Sequence, residues 1–478
     1  MAFAVRDQRE AAAGAAYKFP PGFQRNLLWF AFRRFRPANP ILLFEHLAER
    51  YGDIAHYKIG WNHILFLNHP DYIREVLVVQ NDNFIKERTV QRSKMLLGEG
   101  MITAEGAQHR AQRQTAQPAF HRQRIPEYAA TIVREAAVMR ESWRAGEQRD
   151  ISIDMMHLTL NIVARTLFAM DLRGQSGDEV HELADAINRI MGLYNFLVML
   201  PAAEWLVHVR PPGLAAFVRA RKRIDAVVYR MIEAHRRQRR DRGSSIAGFT
   251  TAGSASDGSL LDMMLATSPD RSAESEQSLR DQVITIFLAG YETVANALAW
   301  TWYLLSQNPE CERRMHAEVD RELQGRLPGY DDLPRLRYTE MVLAESLRLY
   351  PPAWAMGRYA LSDFRLGKYF LPAKTTVLMS QFVLHRDARF FPDPLRFDPQ
   401  RFTPEAKARR LKFTYFPFGA GARQCIGESF AWMEGVLALA TLAQKWKLNL
   451  VPGHRVEPQP LITLRPKYGM RMLVEGRG

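Results

Sequence analysis

The residues best placed to do chemistry stand in Phe418-Gly-Ala-Gly-Ala-Arg-Gln-Cys-Ile-Gly427, a glycine-punctuated turn just ahead of an apolar run, Glu428 to Lys445, that reads as a helix. Gly419 and Gly421 permit backbone angles and close approaches that a Cβ blocks. Gly427 leaves room beside the sulfur of Cys425 for a flat, bulky group. The start of a helix offers unpaired amides and the positive end of the dipole, which favour an anion. The thiolate is the form of cysteine that binds metal, so this placement points to Cys425 as a metal ligand. A solitary cysteine is more often a buried, inert thiol; set residue types at fixed spacing make the difference here.

A second constellation is Ala289-Gly-Tyr-Glu-Thr293, inside a stretch from Leu279 to Gln307 that no proline interrupts. Ala289 and Gly290 are small enough to let a ring or a dioxygen molecule lie close to the backbone. Thr293 is four residues from Ala289, hence on the same face, and can turn its hydroxyl to a local carbonyl or a bound oxygen. Glu292 is an ionisable neighbour suited to relaying protons. Elsewhere, Glu345-Ser-Leu-Arg348 places opposite charges on one helix face, and His109-Arg-Ala-Gln-Arg113 does the same for two proton donors.

Together these stretches resemble the cytochrome P450 family of haem-thiolate monooxygenases. The cysteine turn fills every fixed position of the family's Phe-x-x-Gly-x-Arg-x-Cys-x-Gly signature, and Ala289 to Thr293 matches its oxygen-activating stretch. The resemblance implies haem b with Cys425 as axial ligand and Phe418 packed near the thiolate. It implies propionate contacts from His109, Arg113, Arg358 and Arg423, and proton handling by Thr293 and Glu292. Glu345, Arg348 and Arg401 of Pro399-Gln-Arg-Phe402 should form a buried structural network, since buried charges persist only when paired. Val294 stands where the family often has Thr or Ser, which changes the expected water network.

The elements that must position these groups are mostly helical. The expected fold is mainly α with small β-sheets, a single large domain around a buried haem over residues 40–478, preceded by an N-terminal segment, 1–39. Helices are predicted over Ile41–Tyr51, Asp71–Val79 (Asp71 capping), from His109, and over Tyr128–Arg144, His157–Met170, Val180–Met191, Leu214–Arg240, Leu260–Ala266, Leu279–Gln307 and Thr339–Leu349. Ser278-Leu-Arg-Asp281 fits a capping box for the longest. Alternation predicts strands at Ile54–Ile59, His63–Leu67 and Thr375–Ser380. Val90, Met95, Leu96, Leu97 and Ile102, with Ala353 to Met356, are candidates for the pocket wall. Ser244 to Ser259 reads as a surface loop.

Two cysteines among 478 residues exclude a disulfide framework and zinc-type spacing, which fits a cytoplasmic protein. Arg6, Asp7, Arg9, Glu10 and Lys18 break up the first residues, arguing against a signal peptide or membrane anchor. Leu193 to Val209 is interrupted by Pro201 and Glu204 and reads as a buried or lid helix pair. The net charge of +14 suits a solvated basic surface or attraction of an acidic electron donor rather than nucleic acid. The expected reaction inserts one oxygen atom of O2 into a hydrophobic fatty acid, terpenoid or steroid, fatty acid being favoured on likeness to long-chain bacterial hydroxylases. Electrons would come from a ferredoxin or flavodoxin with its reductase, docking on Arg110, Arg122, Arg124, Lys407, Arg409 and Arg410. The alternatives are a peroxide-driven oxygenase or a hydroperoxide isomerase or dehydratase on the same fold, and a basic binding module without haem.

Overall fold

The structure is a computed structural model and describes residues 16–23, 39–121, 123–170, 212–245, 259–266 and 272–477. The predicted helix Val180–Met191, the apolar region Leu193 to Val209, most of the Ser244–Ser259 loop and Arg122 lie outside the described residues. The chain forms two compact units interleaved in sequence: Met1–Arg88 with Arg348–Arg396 and Pro404–Cys425, and Thr89–Leu347 with Phe397–Thr403 and Ile426–Gly478.

The first unit is built on a five-stranded sheet in the order Ile54–Ile59, Asn62–Leu67, Thr376–Met379, Met356–Ala360, Phe84–Lys86. A two-residue turn, Gly60-Trp61, joins the first pair, and Asn62–Leu67 runs parallel to Thr376–Met379 while the remaining pairs are antiparallel. Leu65, Leu67, Val377 and Met379 bury one face with Ile73, Leu77, Phe84 and Leu384. The helix Pro40–Tyr51 follows its local signals: Asn39 accepts from the Ile41 amide at 3.0 Å, proline opens the first turn, and Gly52 closes it at φ 73°. The next helix corrects the expectation. It begins at Pro70 with the His69 ring as cap, and from Glu75 to Val79 it widens into a π turn.

The second unit is organised by one helix, Ala273–Gln307, of 35 residues. At 1.5 Å per residue it is about 52 Å long. Its start lies a turn and a half earlier than predicted, because Ser272 rather than Ser278 caps it, accepting from the Ser275 amide at 3.2 Å. Asn308-Pro309 ends it, the proline then serving as the first residue of the helix Pro309–Leu323. Ile151–Thr166 packs along this long helix, and Ile125–Ser142 packs on Glu428–Ala443. Near the C-terminus, Gln148–Asp150, Arg471–Gly476 and Trp446–Leu450 form a three-stranded sheet, and Pro458–Pro460 pairs with Leu464–Pro466 in a hairpin. Among the described residues the long helix alone is long and apolar enough to cross a membrane, yet 83% of that stretch is buried inside the protein. It is a core helix.

Candidate active site

The cysteine turn is held by its own backbone. The Cys425 amide donates to the Phe418 carbonyl at 3.0 Å, Gly419 to Phe416 at 2.9 Å, and Gln424 to Gly421 at 3.0 Å. Gly421 has φ +72°, and a Cβ there would stand 2.2 Å from the Leu77 carbonyl oxygen, so only glycine lets the turn lie this close to its own unit. The Cys425 side chain is exposed, with Phe418, Gly419 and Arg423 half-buried around it.

Behind the turn stands His385, a residue the sequence reasoning missed. It is fully buried, and its Nε2 accepts the Phe416 amide proton at 3.1 Å. Burial, reinforced by the nearby Arg348, Arg386 and Arg410 cations, keeps its pKa well below the ordinary histidine value. The ring is therefore a neutral acceptor. Arg348 is also fully buried and donates to the carbonyls of His385 and Pro394 at 2.7 Å and of Arg396 at 3.1 Å. In the other unit, Glu345 is fully buried, 3.4 Å from Arg401, and accepts the Asp398 amide at 2.9 Å.

From Leu279 to Trp302 the long helix is buried at every position except Ala289, Gly290 and Thr293. These are the positions singled out for small size or a hydroxyl. Thr293 Oγ1 donates to the Ala289 carbonyl at 2.8 Å, which leaves its oxygen free to accept. Gly290 has a second duty: a Cβ there would meet Val163 Cγ2 at 2.9 Å, so its absence also lets Ile151–Thr166 pack closely. Glu292 is buried and ion-paired with Arg465 at 2.8 Å.

His109 is buried and Arg113 half-buried on the helix Gly106–Ala116, which begins a turn before the position predicted. Arg358 is buried in the strand Met356–Ala360 and donates to the Gly357 carbonyl at 2.9 Å. Of the candidate wall, Leu96 and Leu97 are buried and Ile102 is 37% exposed. Ala353, Trp354, Ala355 and Met356 form an unbroken half-buried run. The Leu96–Glu99 segment is pinned to the long helix by groups the sequence did not single out. Arg280 donates to the Leu96 carbonyl at 3.0 Å and pairs with Asp225, while Asp281 accepts the Glu99 amide at 2.7 Å.

The cysteine turn of the first unit has donor chemistry that fits an iron macrocycle. Cys425 offers one exposed soft donor, and among the described residues no group of three His, Cys, Asp or Glu could hold a metal ion. One soft donor of this kind would leave the rest of an iron ion's coordination to a macrocycle. The cytochrome P450 family model matches residues 20–472. The chain belongs to the cytochrome P450 family. It is an oxidoreductase, a P450 monooxygenase, and the family implies haem. This P450 is 36% identical over 444 residues to cyclooctatin synthase of Streptomyces melanosporofaciens, covering 92% of each chain. It is 31% identical to pentalenene oxygenase of Streptomyces avermitilis, covering 91% of this chain and 93% of that one. Among solved structures, the cytochrome P450DA heme domain matches with a TM-score of 0.81 and 25% identity, over 97% of this chain and 99% of that one. The mainly helical P450 fold with small sheets is thereby established for this chain.

Proposed function

We propose that this P450 hydroxylates a terpenoid, with Cys425 as the residue whose thiolate would hold haem iron and electrons drawn from a separate ferredoxin or flavodoxin. The observation that carries the reading is the opening of the long helix, across its buried stretch Leu279 to Trp302, at Ala289, Gly290 and Thr293 alone. When bound, haem supplies the activation of dioxygen. Arg423, His109, Arg113 and Arg358 are the candidates to hold its propionates by charge-assisted hydrogen bonds. The Thr293 oxygen accepts and passes on a proton, with Glu292 as its carboxylate source. Leu96 and Leu97 in the second unit and the run Ala353 to Met356 in the first each offer apolar surface, which favours a lipophilic substrate.

The relatives shift the substrate preference. Cyclooctatin synthase, pentalenene oxygenase and cyclooctat-9-en-7-ol 5-monooxygenase, the last 35% identical over 417 residues, point to terpenoids in place of the fatty acid favoured on sequence. A titration of the purified protein with cyclic terpenoids and with long-chain fatty acids tests this through the spin-state shift of its absorption spectrum. Terpenoids are expected to shift the spectrum at micromolar concentration and to be hydroxylated. A shift and product with fatty acids alone would reverse the assignment.

A further inference from the structure

Glu292 has surroundings that proton handling by itself does not explain. The carboxylate is 1% exposed. Among the described residues every donor reaches the same oxygen: Arg465 Nε at 2.9 Å, Arg465 Nη2 at 2.8 Å and the Thr463 hydroxyl all converge on Oε1. The hydroxyl is oriented from behind, because the Asn296 side-chain amide donates to Thr463 Oγ1 at 3.1 Å and commits the threonine proton to Glu292. The other oxygen, Oε2, is buried and accepts from no group among the described residues. A buried, half-satisfied carboxylate is costly, so it persists only where the surroundings hold it or function uses it. Thr463 and Arg465 flank Leu464 at the start of the last strand of the C-terminal hairpin, more than 170 residues along the chain from Glu292.

We infer that Arg465 and Thr463 are positioning residues for Glu292. They fasten Oε1 and leave Oε2 as the atom that takes up and hands on a proton. A proton gained at Oε2 from water and released from the same atom restores the carboxylate, and no bond to Oε1 breaks in the cycle. The C-terminal hairpin, and not the long helix by itself, then sets how well protons are delivered. This inference rests on the reading of Glu292 as a proton carrier. A clasp that merely ties the hairpin to the long helix would share the geometry but not the consequences for proton transfer.

The test uses the full-length haem-loaded enzyme with a ferredoxin, its reductase and pentalenene as probe. It compares Arg465→Met, Arg465→Lys, Thr463→Val and Glu292→Gln. Three quantities are read: the share of NADPH electrons lost to hydrogen peroxide, the solvent deuterium isotope effect on NADPH oxidation, and the infrared band of protonated carboxyl groups in the resting protein. Arg465→Met should raise peroxide loss several-fold and enlarge the isotope effect. It should also produce a carboxyl band that disappears when Glu292→Gln is added, because a buried carboxylate stripped of its cation takes up a proton. Arg465→Lys should restore most of the native behaviour, and Thr463→Val should move each quantity less but in the same direction. Unchanged peroxide loss and isotope effect in Arg465→Met would overturn the inference even if the protein melts earlier. Should Arg465→Met fail to retain haem, Thr463→Val decides by the same measurements. If Glu292→Gln changes none of them, the proton-carrier reading falls and takes this inference with it. If Glu292→Gln is impaired while Arg465→Met is not, only the inference falls.

Discussion

Thr293 shows how much one side chain does at an opening in a buried helix. Its hydroxyl hydrogen is engaged by the Ala289 carbonyl, so the oxygen presents lone pairs to whatever lies over the open face. Thr293→Ala keeps the helix and removes that acceptor. It is expected to retain haem and reduction rate while diverting most electrons to hydrogen peroxide, a loss of about 10²-fold in product formation if the proton step is general catalysis. Product and peroxide measured against NADPH consumed would check it. His385 is the residue-scale counterpart on the cysteine side. The folded protein holds its ring neutral, whereas the unfolded chain takes up a proton below about pH 6.5. Its folded pKa is lowered, so stability is present above that pH and is lost as pH falls, by up to about 1.4 kcal/mol per pH unit for one such group. His385→Gln should flatten the decline in melting temperature between pH 7 and pH 5, although His56, held near 4 by burial and by His63, keeps part of the slope.

Elements were legible where their signals are local. The cysteine turn, the helix Leu260–Ala266 and the strand Ile54–Ile59 lie where composition and period put them. The long helix begins early because Ser272 supplies the cap, so an exposed and half-exposed stretch, Ala273 to Ser278, turns helical ahead of the buried run that starts at Leu279. The π turn at Glu75–Val79 leaves no periodic trace in five residues. Arg465 and Thr463 were invisible for another reason: only the folded chain brings the C-terminal hairpin to the long helix. The helix Glu428–Ala443 carries a further test. Glu434 within it is fully buried, and burial raises its pKa well above the ordinary carboxylate value. A group held protonated in the fold loses stability as pH rises above its unfolded value. Glu434→Gln should therefore melt higher than the native chain at pH 8, with the gap closing toward pH 4; an equal gap at both pH values would contradict the assignment.

At the scale of the whole molecule, the charge of +14 was readable but its use was not. Within the first unit, Lys407 and Arg409 are exposed on the helix Pro404–Arg409, whereas Arg410 lies over the rings of Phe391 and Tyr415 at 5.6 and 5.3 Å and is held there. In the second unit Arg110 is exposed and Arg124 pairs with Glu127 at 3.5 Å. An acidic electron donor would meet the exposed cations first, and steering of this kind weakens with salt. Lys407→Glu with Arg409→Glu should slow reduction by ferredoxin at low ionic strength and leave reduction by dithionite unchanged; equal rates with ferredoxin would remove these residues from the docking face. The substrate class was not legible either, because an apolar wall accepts many carbon skeletons, and it was the named relatives that moved the preference to terpenoids.

The central claim is that the Cys425 sulfur binds iron as a thiolate, and the absorption spectrum of the dithionite-reduced carbon monoxide complex tests it most directly. The native protein should show the red-shifted Soret band of thiolate ligation, and Cys425→Ser should lose that band even if it still takes up haem. The same red-shifted band in Cys425→Ser, or its absence from haem-loaded native protein, would contradict the account.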